Sequence, residues 1–301
     1  MLVEKINSRA DGIVLYGLVP PKQGTEAALV KEIADRQVAR LKDLNIDGLV
    51  LYDIQDEASR TSEERPFPFM ETIDSFEYSR RYMGNLSVPK IVYRAVGRYS
   101  QPELSEFLGQ LDPSRDLTVF VGAASSGQQV SMSVSDAYSL KNSESPDTLL
   151  GGVVIPERHK VKGDEHLRVF NKIDKGCRFF LSQGVYDVNA SKDFLSDYYY
   201  YAKEHNKPLV PIIFTFTPCG STKTLQFMEW LGIAIPRWLK NDLLHSDDIL
   251  QKSVDSCEHN WRELKDFAQA KGIPIGCNIE SVAVRKVEVE ASIELLRRVT
   301  Q

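Results

Sequence analysis

The stretch Leu149-Leu-Gly-Gly-Val-Val-Ile-Pro-Glu-Arg-His159, read together with residues 160–187, decides the fold. An apolar run long enough for one buried strand ends in Pro156-Glu157-Arg158-His159. A charged helical pattern comes next and closes on Lys172-Ile-Asp-Lys-Gly176. Then Arg178-Phe-Phe-Leu-Ser-Gln-Gly-Val-Tyr-Asp187 passes again from apolar to polar. Two strands joined by a helix, each delivering polar side chains at its C-terminal end, form the repeating unit from which an α/β barrel builds a site.

The same alternation extends in both directions. Apolar runs fall at 13–19, 48–52, 90–96, 117–122, 151–155, 178–182, 208–214 and 273–279. They are short, rich in Val, Ile, Leu and Phe, and too apolar for a sheet with one wet face. Helical patterns separate them. Residues 25–44 place Val30, Ile33, Ala34, Val38 and Leu41 on one face, and 101–111, 133–141, 165–175 and 192–205 follow the same spacing. Gly176, Pro208, Gly272 and Pro274 punctuate the joins. Eight strands with helices between them predict a (β/α)8 TIM barrel, one domain over 1–301, with extra helix over 222–271. There Trp230 and Trp238 flank Ile235-Pro236, and Pro236 begins a helix. The rival, a doubly wound open sheet, wants a glycine-rich turn after its first strand, where this chain has Val19-Pro20-Pro21.

Composition removes several function classes. The 301 residues are 42% hydrophobic and 26% charged, with a net charge of −5 spread along the chain. That excludes the basic face of a nucleic-acid binder. No apolar run is long enough to span a membrane. The opening Met1-Leu-Val-Glu-Lys-Ile-Asn-Ser-Arg9 lacks the apolar core of a signal peptide, so a cytoplasmic location is expected. Cys177, Cys219, Cys257 and Cys277 form no close pair of metal-ligand type and read as reduced packing thiols. His159 and His166 are expected on different elements, and no metal is expected. Tyr198-Tyr-Tyr-Tyr201 runs all round a helix, which reads as core plus an interface and leaves a homo-oligomer open.

The strand ends supply the candidate site. If the chain is extended at Glu157 and His159, both side chains point the same way, and the carboxylate would orient the imidazole and raise its pKa. The plainer alternative is an exposed ion pair in a turn. Gln183 offers two donors and an acceptor, suited to the amide edge of a heterocycle, or else caps the next helix. Arg168 and Lys172 share one helical face, with Asn171 beside them; a solvated face is the alternative. Tyr186 and Asp187 line the same region, unless Asp187 is the N-cap of the following helix. Of Tyr93 and Arg94, one faces the barrel mouth, and Arg94 suits a carboxylate or phosphate. Asp53, which ends strand two near Gln55, is the nearest candidate for an acid. Ser125-Ser-Gly127 is either an anion-binding turn of backbone amides or a plain loop.

Taken in order, these features resemble the methylenetetrahydrofolate reductase family, most clearly over 151–238. Pro156-Glu157-Arg158-His159 is similar to the family's Pro-Glu-x-His turn after strand five. Lys172-Ile-Asp-Lys-Gly176 is similar to its Lys-Val-Asp-Ala-Gly helix end. Leu181-Ser-Gln183 with Tyr186-Asp187 is similar to its Thr-Gln-Phe-Phe-Phe-Asp strand-six end. Leu209-Val-Pro-Ile-Ile213 and Leu231-Gly-Ile-Ala-Ile-Pro236 follow its strand seven and next helix. Tyr16-Gly-Leu-Val-Pro-Pro21 resembles its first-strand Phe-Glu-Phe-Phe-Pro-Pro.

The resemblance implies a (β/α)8 barrel that holds FAD, takes hydride from NADH or NADPH, and reduces 5,10-methylenetetrahydrofolate in the one-carbon metabolism that feeds methionine biosynthesis. It assigns Gln183 to the pterin and His159 and Lys172 to the dinucleotide side, with Arg168 and Asn171 near a pyrophosphate. Tyr93, Arg94 and Tyr186 are expected around the substrate, and Glu157, His159 and Asp53 as the groups that move protons. The chain departs from the family at several points. The family's first-strand Glu, the acid that helps open the folate's five-membered ring, aligns with Gly17. Its strand-four Arg-Gly-Asp aligns with Val121-Gly122-Ala123. A strand-two Thr aligns with Leu51, and the last strand's Asn-Arg becomes Glu280-Ser281, which loses a basic group. The expectation is therefore a reductase-like enzyme with an altered site. The alternatives are a non-redox folate- or nucleotide-binding barrel acting as a regulatory or partner subunit, or methyl transfer from methyltetrahydrofolate.

Overall fold

Eight parallel strands close into a barrel in sequence order: β1 (Ile13–Leu18), β2 (Gly48–Leu51), β3 (Lys90–Ala95), β4 (Asp116–Val121), β5 (Leu150–Val154), β6 (Cys177–Gly184), β7 (Ile212–Phe216) and β8 (Ile275–Glu280). β1 closes on β8, with Ile13 opposite Gly276 and Gly17 opposite Glu280. This is the (β/α)8 TIM barrel that the alternation predicts. The computed structural model describes residues 1–58, 61–123 and 130–300.

Side-chain alternation divides every strand between two cores. Ile13, Leu15, Val50, Ile91, Leu117, Val119, Phe179, Leu181 and Ile213 fill the barrel interior. The intervening residues, such as Leu49, Val92, Phe120, Phe180, Phe214 and Cys277, pack outward under the helices. Gly151 faces inward, where an added Cβ would stand 2.5 Å from the ring of Phe179; the glycine lets that ring fill the centre of the barrel. The floor is closed by α1 (Leu2–Asn7), whose Leu2 and Ile6 join the interior core.

The outer ring contains α2 (Ala27–Leu41), α3 (Ser75–Tyr82), α4 (Gln101–Gly109), α5 (Val134–Glu144), α6 (Pro156–Lys162), α7 (Glu165–Asp174), α8 (Val188–Glu204), α9 (Thr222–Trp230), α10 (Arg237–Leu244), α11 (Ile249–Gln269) and α12 (Lys286–Val299). Local chemistry sets their ends. Ser100 and Glu103 form a capping box on α4. Asp187 accepts from the Ala190 amide as the N-cap of α8, and Pro236 is the N-cap of α10. The extra helix expected over 222–271 is the run from α9 to α11. Strand seven starts at Ile212 and not at 208, because Pro208 and Pro211 carry no N–H for a ladder.

The four cysteines are free and buried. Tyr198 is core, while Tyr200 is 49% exposed. No described helix is long and apolar enough to cross a membrane.

Candidate functional site

The C-terminal mouth gathers polar groups from five strands: Tyr52 just beyond β2, Tyr93 on β3, Gln183 on β6, Thr215 on β7, and Asn278 and Glu280 on β8. β8 shows how the sequence arranges this. In Asn278-Ile-Glu280 the central Ile279 packs outward, so both polar neighbours face inward. Tyr52 and Tyr93 meet edge to face, with ring centroids 4.9 Å apart. Asn278 Nδ2 donates to the Tyr52 hydroxyl at 2.9 Å and to Thr215 Oγ1 at 3.2 Å. Its Oδ1 is buried without a hydrogen bond.

Glu280 occupies the space that β1 leaves empty. A Cβ added to Gly17 would stand 2.8 Å from the Tyr52 ring and 3.1 Å from Glu280 Oε2. The carboxyl lies against Tyr52 and Asn278, and burial pushes its pKa up. Oε2 is sealed from solvent and makes no hydrogen bond of good geometry, although the side chain as a whole is only partly buried. Burial, and then the neighbouring Glu280 charge, raises both Tyr52 and Tyr93. The mouth therefore holds neutral donors and acceptors around one carboxyl that resists ionisation.

Of the residues picked out from the sequence, Tyr93 and Gln183 stand at this mouth. Gln183 spends one amide hydrogen on the Leu231 carbonyl at 2.8 Å, which ties the end of α9 to β6.

The others are placed elsewhere. Arg94 alternates with Tyr93 and points outward. It pairs with Asp74 at 2.6 Å and lies over the Phe107 ring at 4.2 Å. Asp53 is spent on the β3 end, accepting from the Ala95 amide at 2.8 Å and the Tyr99 hydroxyl at 2.9 Å. Tyr186 is core, and its hydroxyl donates to the Thr217 carbonyl at 2.6 Å. Asp187 caps α8 and pairs with Lys160 at 2.8 Å. Ser125, Ser126 and Gly127 lie outside the described residues.

The pairing of Glu157 with His159 needs extended chain, and the segment is helical. Pro156 starts α6, so residues two apart diverge by about 200°. His159 turns to α8, where Nε2 lies 3.0 Å from Asp197. It also meets His166 of α7, with ring centroids 5.3 Å apart. The two histidines do sit on different helices, as expected, yet helix packing brings them together on the outer side of the barrel wall. Glu157 is buried beside Asp187 and Glu165; burial chiefly, then those charges, pushes its carboxyl up to about 8.

The positions assigned to a dinucleotide do not assemble into a phosphate site. Lys172 Nζ donates to the Val153 carbonyl at 2.6 Å, and burial lowers its pKa. Arg168 pairs within its own helix turn, with Asp164 at 3.5 Å and Glu165 at 4.0 Å. Asn171 is exposed on α7. These residues do not fit a flavin's pyrophosphate.

Reading the sequence registers Glu280 only as a lost basic residue. The signal for it was the alternation itself, an acid two residues beyond an Asn in a strand too apolar to have a wet face. A second feature missed is Arg65, whose guanidinium lies among Phe69, Phe227 and Trp230 at 5.0–5.2 Å and clamps the segment after β2 onto α9.

No protein-family model and no curated protein matches the chain. Among solved structures, EDTA monooxygenase from Chelativorans sp. BNC1 is 9% identical over 96% of this chain and 94% of its own, with a TM-score of 0.53, a likeness of fold alone. An uncharacterised protein from Clostridium thermocellum that binds two copies of 5-methyl-5,6,7,8-tetrahydrofolic acid is 51% identical over 100% of both chains, with a TM-score of 0.89. At that identity over the whole length, the chain belongs to the family of this Clostridium thermocellum protein.

Proposed function

We propose that the protein binds a reduced folate in the C-terminal mouth of its barrel and reduces its one-carbon group, as a divergent relative of methylenetetrahydrofolate reductase. One observation carries the reading: a full-length relative at 51% identity binds 5-methyltetrahydrofolate, which is the product of reducing the 5,10-methylene compound. The geometry agrees with it. The mouth offers the partly exposed ring of Tyr52, braced edge to face by the buried Tyr93, for a flat ring. It also offers amide groups from Gln183 and Asn278, complementary to the mixed donors and acceptors of a pterin. The proposed hydride donor is NADH or NADPH. Methyl transfer from 5-methyltetrahydrofolate uses the same ligand in the opposite role, and a turnover assay separates the two.

Calorimetric titration with 5-methyltetrahydrofolate should show saturable binding. Purified protein should oxidise a reduced nicotinamide only when 5,10-methylenetetrahydrofolate is added, without visible flavin absorption. Binding without turnover would leave a folate-binding or methyl-transfer barrel. Failure to bind would remove the folate reading.

A further inference from the structure

We propose that Glu280, reaching in from β8 over the bare backbone of Gly17, is the catalytic residue that hands a proton to the folate as its one-carbon bridge is opened. This role rests on the proposed folate reduction and names the acid for it. The reaction needs one. When the bond between the bridging carbon and N10 breaks, N10 keeps the bonding pair, and an arylamine nitrogen is a poor leaving group until it is protonated. The carbon takes hydride from the reduced nicotinamide, N10 takes the proton from the Glu280 carboxyl, and water returns a proton to the carboxylate afterwards. One hydride and one proton convert the methylene bridge to a methyl group.

Three observations single out this residue. Among the described strand ends, Glu280 is the one carboxyl on an inward-facing position; Asp53 points outward into hydrogen bonds with the Ala95 amide and Tyr99, and Glu157 sits on α6. Its carboxyl has no ion-pair partner among the described residues and lies beside the neutral Tyr52 and Asn278. A carboxyl so held stays protonated where an exposed one would ionise. Its Oε2 is sealed from solvent, so access to the carboxyl runs through Oε1, on a side chain that is only partly buried.

The test compares wild type with Glu280→Gln, which keeps the size and hydrogen-bonding capacity of the side chain and cannot act as an acid. Affinity for 5-methyltetrahydrofolate should hold while kcat falls by about 10²–10⁴-fold. Wild-type kcat should fall as pH rises through the carboxyl's pKa, since the acid works only when protonated, and the residual rate of the variant should lose that limb. A variant that turns over like wild type overturns the proposal and leaves the folate reading standing. A loss confined to affinity overturns it too, making Glu280 a pterin-binding group. Wild-type protein that neither binds 5-methyltetrahydrofolate nor reduces the methylene compound removes the reading and the proposal together. Should the variant not fold, infrared titration of the Glu157→Gln protein, which lacks the other buried carboxyl with a raised pKa, decides. A carboxylic-acid band that persists above the ordinary carboxylate range and shifts when 5-methyltetrahydrofolate binds supports the proposal, and no such band overturns it.

Discussion

At the scale of single residues, the mouth turns on the pairing of Gly17 with Glu280. The two face each other across the β1–β8 seam, and the volume next to the β1 backbone is taken by the Tyr52 ring and the Glu280 carboxyl. Gly17→Ala would push a methyl group to 2.8 Å from that ring, which is itself packed edge to face on Tyr93. The ring cannot retreat without disturbing a close-packed neighbour. The variant should lose about 1–3 kcal/mol, read by chemical denaturation, because overpacking forces side chains off their preferred positions. Unchanged stability would mean that the mouth yields more readily than this packing allows. Residue identity by itself gave little warning of the arrangement. Gly17 reads as a lost acid and Glu280 as a lost base until the two strands are laid side by side.

At the scale of elements, α6 changes what the Pro156-Glu157-Arg158-His159 segment can do. Proline at the first helical position fixes the backbone as helix, and Glu157 is carried inward beside Asp187 and Glu165. The resulting pH dependence has a definite sign. The folded carboxyl titrates at about 8, above its ordinary value of 4.5, so the folded state holds a proton that the unfolded state has already released. Its contribution is complete below pH 4.5 and is lost as pH rises through 8. Glu157→Gln should therefore melt higher than wild type at pH 8 and equally near pH 4.5, by about 2–4 °C for each kcal/mol recovered. Equal Tm values at both pH values would show that the carboxyl is solvated. The same helix explains why His159 leaves the mouth for Asp197, and α7 explains why Lys172 hydrogen-bonds the Val153 carbonyl. Sequence spacing placed these residues near strand ends. Helix packing then decided which side of the wall they face.

At the scale of the whole molecule, one barrel carries a floor closed by α1, and the segment after β2 is clamped through Arg65 onto α9. A ligand at the proposed mouth site would touch several strands at once, so the closed barrel would bind it and the unfolded chain would not. At 100 times its Kd, 5-methyltetrahydrofolate should stabilise the fold by about 2.7 kcal/mol, seen as a rise in Tm that grows with ligand concentration. The same titration gives the number of ligands per chain, a quantity of interest because the Clostridium thermocellum relative binds two copies. No rise in Tm at saturating ligand would argue against a mouth site.

The sequence by itself determined the architecture. Eight apolar runs alternating with amphipathic helices have few ways to bury both faces of a parallel sheet, and the barrel is the one that closes. It also determined that Tyr93 or Arg94 would face the mouth, since alternation allows only one of them. The tertiary structure decided which, because only the register with neighbouring strands sets the inward face. It likewise decided that the carboxyl of the mouth comes from β8. Gly17 and Glu280 lie 263 positions apart in the chain and become neighbours only when the last strand closes on the first. A constellation assembled across that seam leaves no local pattern, so the chemistry became legible only once the barrel was closed.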